Sequence, residues 1–196
     1  LSLEELLRPV RQLYLLASSG SGFLEQRFLA ATQALETFHR RMRPGTYIDQ
    51  STFEANVLPA LQLAIPAELN ADFRQSLRTR LRYANEVSLR KRLGMLSEEF
   101  KDPLELVCCG RQPSSSELAE IRNQLTHYSN AEGSFRVDGG RLLIALEYCL
   151  LLLRFCFLGA AQLSPPQLVE LVKARRPFIQ ERQWWQAKSM VDEIGS

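Results

Sequence analysis

Ile121-Arg122-Asn123-Gln124-Leu125-Thr126-His127-Tyr128 sets an arginine and a histidine five positions apart in a stretch with helical patterning. Leu118, Ile121, Leu125 and Tyr128 fall on one stripe of an ideal helix. Ser116, Glu120, Asn123 and His127 fall on a stripe roughly opposite, and Arg122 flanks the apolar side. Ser114-Ser115-Ser116-Glu117 has capping-box spacing and predicts the helix start; Asn130 through Gly133 predicts the stop. A guanidinium grips phosphate through a planar, permanently charged fork. An imidazole gives or takes a proton near neutrality. Asn123 adds an uncharged donor and acceptor. Together the three can cleave a phosphodiester without a metal ion.

Successive helical residues turn by about 100°, so Arg122 and His127 lie roughly 140° apart on a regular helix. They do not converge on one phosphate from a single straight helix. Either the helix end distorts near His127, or a second copy of the chain supplies one of the groups.

The segment Arg122-Asn123-x-Leu125-Thr126-His127 resembles the Arg-x4-6-His signature of HEPN domains, including the asparagine after the arginine. An earlier segment, Phe28-Leu29-Ala30-Ala31-Thr32-Gln33-Ala34-Leu35-Glu36-Thr37-Phe38-His39-Arg40, is similar to the ApeA-type branch, which occurs as C-terminal domains of bacterial anti-phage proteins. The resemblance spans about Leu24 to Leu158. It implies an all-α helical bundle of the HEPN type with extra helices. It also implies a homodimer and a metal-independent endoribonuclease with Arg122, Asn123 and His127 as catalytic residues. No cofactor is implied.

Around that segment, 196 residues with 45% hydrophobic and 23% charged side chains suffice for a substantial core. The net charge of +2 does not by itself announce a nucleic-acid partner. The chain is read as one domain over 1–196, with residues 165–196 as a C-terminal helical extension. Because it opens at Leu1 within a helical pattern, it reads as the C-terminal fragment of a longer protein whose N-terminal part holds a regulatory or sensor domain. The four cysteines, Cys108, Cys109, Cys149 and Cys156, include no Cys-x2-Cys pair, and there are two histidines. That predicts reduced thiols, a cytoplasmic protein and no zinc site.

Taken in order, Glu4–Ala17 predicts a first helix with Pro9 inside it, and Ser18 through Gly22 breaks it. Phe23–Met42 predicts a second, with Leu24, Phe28, Ala31, Leu35, Phe38 and Met42 at alternating steps of four and three. Glu36 and His39 read either as a surface ion pair or as one border of the His127 cleft. Ser51–Ile65 predicts a helix interrupted at Pro59; Ala67–Tyr83 and Glu86–Phe100 predict two more. The last two carry Arg74, Arg78, Arg80, Arg82, Arg90, Lys91 and Arg92, the most basic part of the chain. This is either a solvated face or a surface for a phosphate backbone. Arg74, Arg78 and Arg82, with Tyr128, are the expected substrate-binding residues, although Tyr83 alone provides no aromatic interleaving. A short helix runs from Asp102 to Cys109, and Phe135-Arg136-Val137 reads as a short extended piece.

Arg141–Ala161 is apolar enough to approach transmembrane length. Glu147 and Arg154 inside it favour a buried core helix and no membrane. Seven residues apart, these two share a face and read as a structural salt bridge or as groups orienting the motif helix. Ser164-Pro165-Pro166 begins another helix, which Pro177 stops; Trp184 and Trp185 follow.

The function expected is RNA cleavage by 2′-hydroxyl attack in anti-phage, abortive-infection defence. The alternatives are a catalytically silent HEPN dimerisation module and a helical interaction module using the basic face or the two tryptophans. A toxin regulated by tyrosine nucleotidylation is disfavoured, because position 130 is Asn.

Overall fold

The apolar run resolves as helix α9, Gly139–Ala160, in a computed structural model that describes residues 2–127 and 138–194, with His127 and residues 189–194 described by backbone alone. Asp138 caps it, its carboxylate accepting from the Gly140 and Arg141 amides. The helix is long and apolar enough to cross a membrane by composition, yet most of it is buried in protein. Twelve of its residues are buried, from Leu142 to Ala160. They are apolar around most of the circumference, which is the pattern of a central core helix.

Packed on α9 are α1 (Leu3–Ser18), α2 (Leu24–Met42), α6 (Leu89–Glu99), α7 (Lys101–Cys108) and α10 (Pro165–Ala174). Helix α8 (Ser115–His127) packs on α2 and α6, and α11 (Arg176–Ile194) packs on α7 and α10. The alternating step of four and three in α2 is borne out: Phe28, Ala31, Leu35 and Phe38 are fully buried. Helix α1 continues past Pro9 to Ser18. Proline has no N–H for the Glu5 carbonyl four residues back. The Arg41 guanidinium of α2 donates to that carbonyl instead, at 3.3 Å, and to Leu6 O at 3.4 Å. At the other end, Arg27 Nε donates to Ala17 O at 2.8 Å. Two arginines of α2 thus serve carbonyls at both ends of α1.

The residues sort into two compact units. The first comprises 1–42 and 89–196, and the second is the intervening Arg43–Ser88. The buried apolar cluster of the protein draws on none of residues 43–88. Within this second unit the predicted Ser51–Ile65 helix is divided. It forms α3 (Gln50–Thr52), a π-helical segment Phe53–Val57 and α4 (Leu58–Leu63). Pro59 explains the division. Its ring would press on the carbonyl four residues back, and a turn widened to i−5, with the Leu58 amide bonding Phe53 O, makes room. Helix α5 begins at Ala71 rather than Ala67, where Asn70 Oδ1 accepts from the Phe73 amide at 2.7 Å.

Buried Asn85 closes the base of this unit. Its Oδ1 accepts from the Ile48 amide and its Nδ2 donates to Ile48 O, each at 3.0 Å. An antiparallel bridge pairs Thr46 with Glu86, and among the described residues there is no strand. Glu86 therefore lies outside helix, and α6 starts at Leu89. Pro177 likewise is no stop. Helix α10 ends at Ala174 because Arg175 turns extended, and Pro177 sits in the first turn of α11, where a missing N–H costs nothing. The predicted stop at Asn130–Gly133 and the extended Phe135-Arg136-Val137 lie outside the described residues.

Candidate functional site

Helix α8 starts where the Ser/Glu spacing predicts, but only half of the capping box forms. Ser114 Oγ accepts from the Glu117 amide at 3.1 Å. The Glu117 carboxylate pairs instead with Arg141 at the start of α9, at 2.6 Å. The helix is thereby fixed from its first turn. Leu118, Ala119 and Ile121 are buried, and Gly94 of α6 approaches closely enough that a Cβ there would sit 3.3 Å from Ser115 Oγ.

Helical geometry continues through Arg122 to His127 without interruption. Thr126 Oγ1 donates to Arg122 O at 3.0 Å and to Asn123 O at 3.1 Å, as threonine does inside a helix. Arg122 is half-buried, and its Nη1 donates to Asn123 Oδ1 at 3.1 Å. Asn123 itself is exposed. The His127 side chain and the whole of Tyr128 lie outside the described residues.

Beside Arg122 opens a cleft of ≈ 360 Å³, lined by Leu29, Thr32, Gln33 and Glu36 of α2, Leu89 of α6, and Arg122 and Thr126 of α8. The two segments singled out in the sequence, about ninety residues apart, thus form facing walls of one depression. Glu36 contributes a carboxylate to it and also pairs with Arg40 at 3.1 Å. Thr32 is buried and spends its hydroxyl on Phe28 O and Leu29 O. Leu29, Thr32, Gln33 and Leu89 were not legible as site residues. The available signal was a second α2 stripe, with 29, 33 and 36 at steps of four and three beside the buried one.

His39 does not border this cleft. It is fully buried, and Arg92 Nη1 lies 3.1 Å from its Nδ1. A guanidinium only donates, so Nδ1 accepts and the ring proton sits on Nε2. Neither the surface pairing with Glu36 nor the cleft position read from the sequence describes it. Glu147 and Arg154 lie on α9, and Arg154 pairs with Glu181 of α11 rather than reaching α8. Burial lifts the Glu147 carboxyl above its ordinary value; the Glu181 carboxylate adds to this, while Arg27 and Arg154 pull the other way.

The expected substrate-binding arginines belong to the second unit. Arg74 is half-buried and donates to Ala67 O at 3.2 Å, so it serves the fold of that unit. Arg78 and Arg82 are exposed, as is Arg80. Arg92, counted in the basic stretch, is 1% exposed and contributes nothing to a surface.

A family model described as Apea-like HEPN matches residues 29–167, well over half of the chain. No curated protein matches the chain, and no solved structure does.

Proposed function

We propose, from the premise that this chain belongs to the Apea-like HEPN family, that it is a metal-independent endoribonuclease of bacterial anti-phage defence, acting in the cytoplasm. The observation that carries the reading is the cleft. It sets the Arg122 guanidinium, buttressed by Asn123, opposite the polar wall of Gln33 and Glu36. A half-buried guanidinium at the edge of an open groove is placed to receive a backbone phosphate.

In the proposed step a ribose 2′-oxygen attacks the adjacent phosphorus, and the bond to the 5′-oxygen breaks. His127 takes the proton of the 2′-hydroxyl or returns one to the departing oxygen. Arg122 neutralises the charge that builds on the non-bridging oxygens. The products are a 2′,3′-cyclic phosphate and a 5′-hydroxyl. The substrate is single-stranded or looped RNA, because in-line attack requires a splayed ribose.

Unbroken helix from Arg122 to His127 supports a site shared between two copies of the chain. Five helical steps separate the two side chains by roughly 140°. Two α8 helices facing each other across a two-fold axis bring the arginine of one to the histidine of the other.

The test is RNA cleavage by the purified chain in excess EDTA. Arg122→Ala and His127→Ala are each expected to lower the rate at least a hundredfold, the scale of a lost general base or oxyanion donor. Wild-type rates in both variants would overturn the assignment. A folded wild-type dimer with no cleavage at all would make this a silent dimerisation module.

A further inference from the structure

The second unit carries a feature that the cleft does not use. From Phe73 to Tyr83 the chain bears four arginines and no carboxylate. Arg74 is engaged with Ala67 O. Arg78, Arg80 and Arg82 are exposed and, among the described residues, take no partner. Two aromatic rings stand out in the same stretch: Phe73 is 46% exposed and Tyr83 is 65% exposed. Sequence reading credits this region with Tyr83 alone, although Phe73, Leu77 and Leu81 recur at steps of four along α5. Burial separates them. Leu77 and Leu81 are half-buried, whereas Phe73 is open.

Helix geometry arranges these groups. Phe73 and Arg80 are seven apart, two turns along one face, about 10 Å of helix axis. Tyr83 follows three residues later, where the chain leaves α5 in a tight turn with its amide bonded to Arg80 O at 3.1 Å. The order along the strip is ring, guanidinium, ring; Arg78 and Arg82, roughly 140° and 180° around the helix from Phe73, stand on the far side of α5. The charge complement of this face is anionic. A folded protein partner would meet an unneutralised arginine set between two rings, and a duplex offers the rings no base face. Unpaired bases satisfy both, stacking on rings while a phosphate meets the arginine.

We infer that Phe73, Arg80 and Tyr83 form a binding strip for single-stranded RNA, built from residues other than the cleaving groups. This deepens the nuclease reading and rests on it for the choice of RNA. The probe is therefore one that the nuclease cannot cut: a single-stranded 2′-fluoro oligonucleotide of about twelve nucleotides, which lacks the attacking hydroxyl. Its affinity for the full chain is measured across a salt series, beside the same oligonucleotide annealed to its complement.

Wild type should prefer the single strand. Phe73→Ala and Tyr83→Ala should each weaken binding about tenfold at unchanged salt slope, as loss of one stacked base does. Tyr83→Phe, which keeps the ring, should bind as wild type. Arg80→Gln should flatten the log–log salt slope by about 0.7, the loss of one phosphate contact. Unchanged affinity in both the ring and the arginine variants, or a preference for the duplex, overturns the inference. Loss of cleavage in His127→Ala alongside unchanged binding in the strip variants would sink the strip alone. Intact strip binding without any cleavage would sink the nuclease reading alone.

Discussion

The guanidinium of Arg92 meets Nδ1 of His39 at 3.1 Å in the interior of the protein, joining α6 to α2 where both line the cleft. A permanently charged donor is held there by a neutral imidazole acceptor. The two helices it joins carry Leu89 on one side and Glu36 on the other, so the contact fixes the wall facing Arg122.

His39→Ala should therefore destabilise the fold by about 2–4 kcal/mol, combining a cavity with the loss of the buried hydrogen bond from Arg92. His39→Asn, which restores an acceptor oxygen on a shorter side chain, should cost less than His39→Ala. Thermal unfolding of the two variants against wild type checks the order. Equal losses would mean that volume, not the acceptor, is what the site requires.

This pair also marks how far the sequence could be read. The period of α2 and the apolar run of α9 were legible because burial of whole helix faces leaves a repeating pattern. Arg122 and Asn123 were legible because their residue types and order are particular. His39 and Arg92 were not. A polar residue buried by a partner 53 positions away looks, in sequence, like any surface residue. The same limit hid Gln33 and Leu89, which become site residues only when α2, α6 and α8 meet. The division at Pro59 was half legible: the proline was visible, but the π turn that accommodates it was not.

Gly159 lies where α9 passes Phe100, and a Cβ there would sit 3.0 Å from the ring Cζ and 3.1 Å from Cε1. Phe100 is buried and stacks on Phe155 at 6.3 Å between centroids, so the ring has little room to withdraw. Gly159→Ala should destabilise by about 1–2 kcal/mol net, overpacking outweighing the gain of roughly 1 kcal/mol in helix propensity. Phe100→Leu in the same chain should recover part of the loss. A Gly159→Ala variant more stable than wild type would show that the ring moves freely.

Glu147 predicts a pH signature. Its folded-state pKa is raised, first by burial and then by Glu181. The favourable contribution of its protonated form is fully present below the unfolded value near 4.5 and is lost as pH rises through the raised one. Glu147→Gln should thus unfold at a higher temperature than wild type at pH 7, with the gap closing below pH 4.5. A gap that stays constant over that range would contradict the assignment.

The proposed sharing of the site between two chains predicts complementation. Arg122→Ala and His127→Ala chains, each inactive alone, should regain about a quarter of wild-type activity when mixed and allowed to exchange. Random pairing makes half the dimers mixed, with one intact site of two in each. A mixture as inactive as its components would place both groups within one chain.

The most direct measurement replaces a single ribose by 2′-deoxyribose at a mapped cleavage position, with the reaction run in EDTA. Cleavage at that linkage should disappear while neighbouring linkages are still cut, leaving 2′,3′-cyclic phosphate and 5′-hydroxyl ends. Continued cleavage at the deoxy position, or 5′-phosphate ends, would contradict attack by the 2′-hydroxyl and with it the roles given to Arg122 and His127.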